Sequence, residues 1–370
     1  MIATGSRHTC GLRLDGTVAC WGTGEEFANG SVPNGADRST PQRIPELAGV
    51  ISLEAGSSHT CALLGNGNVL CWGQNLDSQL GNGTQTGAEA VPVRVSGVSD
   101  AIGITAGNEH SCAVLADGTA TCWGENRDGQ LSDGTTIDRR SPVPVDGLRN
   151  AVAISAGNDH TCALRSDGTV RCWGANDQGQ LGDGTTEHRV GPVAVEGVED
   201  AVAVSVGGSH TCALTGEGIV FCWGANHSGE IGTGHVSDVD PIEELPLAVT
   251  GIADAVAISA AGAYACALLE DGRVLCWGRD GAGQLGYGGQ WSGDPADAAK
   301  PNPVEVVGLR GATAISASPY AHTCALLTDG TAMCWGINDY GELGNGGEVG
   351  QTESRVPVAV VEFDIDQPGP

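Results

Sequence analysis

The triplet Cys-Trp-Gly occurs seven times, at Cys20, Cys71, Cys122, Cys172, Cys222, Cys276 and Cys334, with spacings of 51, 51, 50, 50, 54 and 58 residues. A second cysteine stands ten residues before each, at Cys10, Cys61, Cys112, Cys162, Cys212, Cys266 and Cys324, and these pairs use all fourteen cysteines. One unit of this length is too small to bury its own apolar face, so neighbouring copies must cover each other. The repeat therefore restricts the fold to a stack or a ring.

The fourth copy is the easiest to read. Ala151 to Gly157 alternates and carries β-branched residues, which predicts a first strand. Asn158-Asp159 is a tight polar turn, His160 to Arg165 a second strand, Ser166-Asp167-Gly168 a turn, and Thr169 to Gly174 a third strand. A long polar loop, Ala175 to Gly191, follows, and Pro192 to Val195 reads as a short fourth strand, where a leading proline is tolerated. Outside the long loops no stretch offers a 3.6-residue period free of glycine, so helices have little room. Four short antiparallel strands repeated seven times predict an all-β, seven-bladed β-propeller, whose blades leave only short, protected edges. A β-solenoid with a long repeat is the alternative. The expected domain runs over 1–363, with 364–370 as a C-terminal tail. Ile2 to Gly5 matches the end of a first strand and Val356 to Val360 a fourth. The N- and C-terminal strands should thus close the ring, the C-terminus supplying the fourth strand missing before the first copy.

Copy four reads Ala-Gly-x-x-His-Thr-x-Ala-Leu, Asp-Gly-x-Val-x-x-Trp-Gly, Asn-x-x-Gly-Gln-Leu-Gly-x-Gly and Pro-Val, carried by Gly157, His160, Thr161, Asp167, Gly168, Trp173, Asn176, Gln180 and Pro192 among others. In this pattern the chain resembles the regulator of chromosome condensation repeat family over about Ile2 to Val361. The resemblance implies a seven-bladed propeller, and it leaves function open because such folds host unrelated activities. The first copy replaces the Gly-Gln-Leu-Gly loop with Gly24 to Asp37, and the sixth replaces its histidine with Tyr264 and inserts Tyr287 to Lys300, including Trp291.

A three-residue hairpin loop at Ser166-Asp167-Gly168 pairs Arg165 with Thr169 and, counting outward, sets Cys162 opposite Cys172. That is a non-hydrogen-bonded position, where Cα atoms stand about 4.5 Å apart and side chains are closest. Disulfides accept Cα separations of about 4.4–6.8 Å, so one bridge per blade is expected. Free buried thiols and a zinc site that includes the nearby histidines are the alternatives; copy six keeps both cysteines without its histidine. Seven disulfides imply an oxidising compartment. Met1 to Cys10 has no apolar signal-peptide core, so the expectation is a mature or excised chain from an extracellular or cell-surface protein.

Seventeen basic against 45 acidic residues give a net charge of −28. Such a surface repels phosphate backbones and anionic lipid, which argues against nucleic-acid partners. No run approaches eighteen apolar residues, which argues against membrane insertion by a helix. His8, His59, His110, His160, His210 and His322 recur at one position, and an active site is built once, so they read as contacts to a neighbouring blade. The seven repeated tryptophans likewise read as packing between blades. The Asp/Asn/Gly loops lack the terminal glutamate of a calcium loop. No cofactor and no enzyme activity are expected.

Strand polarity places the Gly-x-x-His turns and the loops after Trp-Gly on one face, and the Asp-Gly turns on the other. The second face barely changes from blade to blade. The first varies, with Arg7, Ser58, Glu109, Asp159, Ser209, Pro319 and Tyr320 at the turns and Trp291 beside them. The expectation is a monomeric, non-catalytic scaffold that binds a protein partner on this face, with Tyr320 and Trp291 as anchors and Glu109 and Asp159 steering a basic patch. Two alternatives stand beside it. One is a secreted enzyme inhibitor similar to the propeller-type β-lactamase inhibitor protein. The other, implied by the family resemblance, is guanine nucleotide exchange on a small GTPase.

Overall fold

A computed structural model describes residues 1–364 apart from 31–34, 46, 237–240, 291–297 and 351–352. Among the described residues, twenty-eight strands form seven four-stranded antiparallel sheets, each from four consecutive strands of one repeat. The result is a seven-bladed propeller. In the fourth blade the strands are Ala151–Ala156, His160–Arg165, Val170–Gly174 and Arg189–Ala194. The outer strand starts earlier than the Pro192 read from sequence, because a register shift after Cys172 lets Gly174 pair with Arg189.

The hairpin register matches the counted one: Leu164 faces Val170, Ala163 faces Arg171 and Cys162 faces Cys172. All seven cysteine pairs are disulfides, with Cα separations of 4.0–4.1 Å. Each sits at an interface between blades. Cys162, Cys172, Leu164 and Leu181 of the fourth blade, for example, pack with Ala213 and the fully buried Trp223 of the fifth.

The same interfaces carry a repeated polar node. Trp223 Nε1 donates to the Gln180 carbonyl at 2.9 Å, and the Thr211 hydroxyl donates to that same carbonyl at 2.9 Å. His160 Nε2 meets the Thr211 oxygen at 2.9 Å. Because the threonine proton is already committed to the carbonyl, the histidine must be the donor, so its ring is neutral with the proton on Nε2. Burial fits that assignment and holds the His160 pKa at about 3. In the first blade, where the Gly-Gln-Leu-Gly loop is absent, the Ala28 carbonyl takes its place and accepts from Trp72 at 3.1 Å. The glycine that opens these two-residue turns is required locally: a Cβ on Gly56 or Gly207 would overlap the imidazole of His59 or His210.

The C-terminal segment forms a fourth strand, as expected, but not the one anticipated. Ser354–Asp364 is the outer strand of the seventh blade, and the first blade has all four of its own strands. No strand is missing before the first copy and none is exchanged across the seam. Closure comes from packing instead. Phe363 reaches the first blade, 5.7 Å from the Trp21 ring, in space left by Gly11 where the other copies have alanine.

Two blades depart from the node. His210 faces Ala265 where the other blades have threonine or serine, and among the described residues its buried Nε2 has no partner. Ser132 stands where most copies have glycine, at φ 55°, with its buried hydroxyl unpartnered. Ala265→Thr should return an acceptor to His210 and stabilise by about 1 kcal/mol. Ser132→Gly should relieve left-handed strain of about 1 kcal/mol. Each should raise the thermal midpoint by a few degrees, and a fall in both would refute this account of the node. Phe363→Ala should cost about 3–5 kcal/mol, as for other buried phenylalanines. Deleting the chain from Val356 onward should weaken the fold further; an unchanged melting curve for either variant would remove the C-terminal strand from ring closure.

Candidate functional site

The turns that end in the repeated histidine ring one mouth of the central channel, with Asn108, Asn158, Gly208, Gly262 and Pro319 at its rim. Their geometry is held by the residue after Trp-Gly. Its N–H bonds the second turn residue's carbonyl, as Gln74 does to Ser58, Glu125 to Glu109, Ala175 to Asp159 and Ala225 to Ser209, at 2.8–2.9 Å. The intervening glycine has φ near +100°, and a Cβ on Gly174 would lie 2.5 Å from the Asp159 carbonyl oxygen. The variable side chains therefore stand on a rigid rim.

The structure brings some of the expected residues together and separates others. Glu109 and Asp159 belong to an acidic crescent over the second to fourth blades. Carboxylate oxygens of Asp77, Glu109 and Glu125 lie within 4.8 Å of one another. Arg127 sits among them, 2.9 Å from Glu125 and 3.5 Å from Asp77. Three carboxylates are a ligand set in kind, but this guanidinium already supplies the counter-charge. Burial, reinforced by Glu109, pushes Glu125 up to about 7. Burial and the neighbouring Asp77 raise Glu109, and burial with Asp128 and Asp177 raises Asp159. His188 pairs with Asp128 at 3.1 Å at the edge of this group.

Across the rim, Arg7 lies 5.8 Å from the Tyr320 ring centroid and 5.1 Å from that of Tyr340, and 3.5 Å from Glu25. Tyr320 is 50% exposed. It occupies an extra turn position: Ser318 bonds the His322 carbonyl with three residues between them, where Gly157 bonds His160 across two. That insertion pushes the ring outward. Pro319 lies at the channel rim, while Ser58 and Ser209 stand singly on their turns. Trp291 lies outside the described residues.

Asp77, Glu125, Arg127 and Tyr340 were not among the expected residues, because they lie in the long loops after Trp-Gly and not on the short turns. Variation among the long loops marks them as candidates, and the folded ring decides which of them meet. The repeated histidines do not form a site. Five of them bond a threonine or serine of the next blade at 2.8–2.9 Å, and all six are buried with pKa values of about 3 to 4.

A family model described as RCC1-like domain matches residues 1–318, and one described as Regulator of chromosome condensation (RCC1) repeat matches 312–342. Protein pim1 of Schizosaccharomyces pombe is 33% identical over 139 residues, covering 35% of this chain and 26% of that protein. The mouse Regulator of chromosome condensation is 33% identical over 114 residues, covering 30% and 27%. The matched segments thus span about a quarter of each relative's length. The crystal structure of yeast RCC1 (Prp20) bound to Kap60 superposes with a TM-score of 0.81 at 24% identity, covering 94% of this chain and 84% of that one, a likeness of fold.

The acidic crescent generates a pH dependence. Glu125 has a folded pKa of about 7 against 4.5 unfolded, so the folded state holds a proton there that the unfolded chain releases. Its contribution is fully present below about 4.5 and is lost as pH rises towards 7. Glu125→Gln should therefore raise the melting midpoint relative to the parent, with a gap that widens from pH 5 to pH 7.5. A gap that narrows over that range would refute the assignment.

Proposed function

The chain belongs to the RCC1-like domain family, and from that premise we propose that it is a non-catalytic scaffold that binds a protein partner on the Gly-x-x-His face. The observation that carries this is the Arg7–Tyr320–Tyr340 group, with Tyr320 exposed and Arg7 and Tyr340 half-buried beside it, built by an inserted residue on an otherwise regular rim. Tyrosine and arginine are the residue types that dominate binding energy at interfaces. The acidic crescent at Asp77, Glu109, Glu125 and Asp159 lies on the same face and suits a partner with a basic patch, where such charges speed association. The opposite face repeats its Asp-Gly turns with little variation and offers less to distinguish one partner from another.

The working location is extracellular or cell-surface, supported by seven disulfides that a reducing cytosol would not keep. The protruding Tyr320 favours a second reading, in which the partner is an enzyme whose cleft this face plugs. Nucleotide exchange on a small GTPase is disfavoured by the same disulfides, since such partners work in reducing compartments. Yeast Prp20p, which shares the fold, has been described with its binding properties to Gsp1p and histones, so protein binding is within the reach of this scaffold.

The immobilised protein should capture its partner from extracellular medium and not from a cytosolic extract prepared in parallel. With that partner purified, Tyr320→Ala and Arg7→Ala should each weaken binding by about 2 kcal/mol or more, a thirtyfold change. Asp117→Asn, on the opposite face, should leave affinity unchanged. Neutral effects at Tyr320 and Arg7 with a loss at Asp117 would move the site to the other face.

A further inference from the structure

The seven first strands surround an axial channel with a cavity volume of about 290 Å³. Each presents its free edge to the axis, so part of its backbone N–H groups have no strand to bond. A hydroxyl from the preceding blade accepts them. Ala156 N–H donates to Thr105 at 3.0 Å, Val206 to Ser155 at 3.0 Å, Ala260 to Ser205 at 2.8 Å, Ala317 to Ser259 at 2.9 Å and Thr4 to Ser316 at 3.1 Å. Two blades break this relay. By register, Ala3 opposite Cys10 and Glu54 opposite Cys61 stand where Ser155 stands opposite Cys162.

Alanine merely omits the hydroxyl, whereas glutamate brings an acid into the channel. Among the described residues, the Glu54 carboxyl has neither a hydrogen-bond nor an ion-pair partner. It is also the only titratable side chain among the residues lining the channel. The amino group of Met1 borders the same space, but it donates to the Leu12 carbonyl at 3.2 Å and burial lowers its pKa. Glu54 is partly accessible from the channel, and a carboxylate largely desolvated there without a partner is costly, which favours holding a proton or meeting a cation. Calcium takes six to eight oxygen ligands, and magnesium demands near-ideal octahedral geometry and usually adds substrate phosphates to its one or two carboxylates, so a single carboxylate in this wall is a poor site for either. An ammonium group needs only one carboxylate plus neutral acceptors, which the hydroxyls of Thr105, Ser155, Ser205 and Ser259, at the register level of Glu54, offer. The remaining wall of alanine, isoleucine, glycine and hydroxyl groups suits an alkyl chain behind it.

We propose that the axial channel binds a primary alkylammonium group, with the Glu54 carboxylate as its counter-charge. The group could be carried by a free diamine or by a lysine side chain, and the chemistry of recognition is the same for both. Burial holds the unliganded Glu54 up to about 8, so binding expels its proton. Affinity should then rise about tenfold per pH unit up to about 8 and level off above it, until the amine itself loses its proton near about 10.

The test is calorimetric titration with putrescine and, separately, with N-acetyl-lysine methylamide, at 0.3 M salt to suppress general attraction to an acidic protein. The parent should bind at one-to-one stoichiometry. Glu54→Gln and Glu54→Thr should lose at least tenfold in affinity, and Glu196→Gln, an exposed charge removed elsewhere, should change nothing. Glu54→Thr restores the hydroxyl relay, so it keeps the test valid if the glutamine variant folds poorly. Binding by putrescine alone identifies a free amine as the ligand, and binding by the lysine derivative identifies a side chain. Equal binding by Glu54→Thr, or no saturable binding to the parent by either compound, would overturn the proposal. None of these readouts depends on the partner of the rim.

Discussion

One backbone carbonyl per blade bears most of the load of assembly. It lies in the loop after Trp-Gly and accepts both the tryptophan N–H and the threonine or serine hydroxyl of the next blade, as Gln79 does from Trp123 at 2.8 Å and Ser111 at 3.0 Å. The hydroxyl in turn receives the histidine of the blade that supplies the carbonyl, as Ser111 does from His59 at 2.8 Å. A buried tryptophan supplies a large apolar surface but needs a partner for its N–H. The node provides that partner and aligns the two blades at the same time. Loop length explains the rest: the carbonyl must arrive at one fixed point, so the glycines of Gly-Gln-Leu-Gly bring the backbone close. A Cβ on Gly182 or Gly286 would press into the ring of Trp223 or Trp335.

The same node governs charge in the interior. Five of the six buried histidines donate to a hydroxyl oxygen, His210 lacks that partner, and burial holds all six well below the ordinary imidazole range. The loop position that most copies fill with glutamine is glutamate at Glu230 and Glu342, and burial pushes both up to about 7. Each still accepts a backbone N–H with one oxygen, Glu230 from Ser228 and Glu342 from Tyr340. An acid can replace the amide there because what the turn needs is an acceptor. Burial thus works against ionisation at the blade interfaces, while the exposed carboxylates carry most of the formal net charge of −28.

The fold was legible because register is arithmetic. A ten-residue spacing across a three-residue hairpin loop dictates which side chains face each other, and the seven disulfides follow from it. The outer strand was misjudged at its start because a bulge after the second cysteine changes the count, and no residue type announces it. The N- and C-terminal strands do meet at the seam, but the manner of closure was misjudged for another reason. Seven complete repeats need no exchanged strand, and the signals of the actual seam, Gly11 against Phe363, lie more than three hundred residues apart. Of the rim, Glu109, Asp159, Arg7 and Tyr320 were visible as departures between copies, but their neighbours Asp77, Arg127 and Tyr340 come from loops of different blades. Only assembly of the ring sets those loops side by side.

A repeat protein separates scaffold from specialisation more cleanly than most folds, because each position has six controls in the same chain. Where a position never varies, as at the glycine of Trp-Gly with φ near +100°, steric necessity suffices as an explanation. Where one copy differs and its neighbours compensate, as Gly11 does for Phe363 or Tyr264 by donating to the His322 carbonyl at 2.6 Å, the change serves the ring. The informative departures are those without compensation. Ala265 leaves His210 unsatisfied, and Ser132 holds a left-handed backbone with its buried hydroxyl unpartnered, so both weaken the ring without a visible return. Tyr320 and Glu54 differ from these, since one is thrust out to solvent and the other into a cavity. In both, the unmet contact is open to something from outside the chain, and that distinguishes a site from a defect.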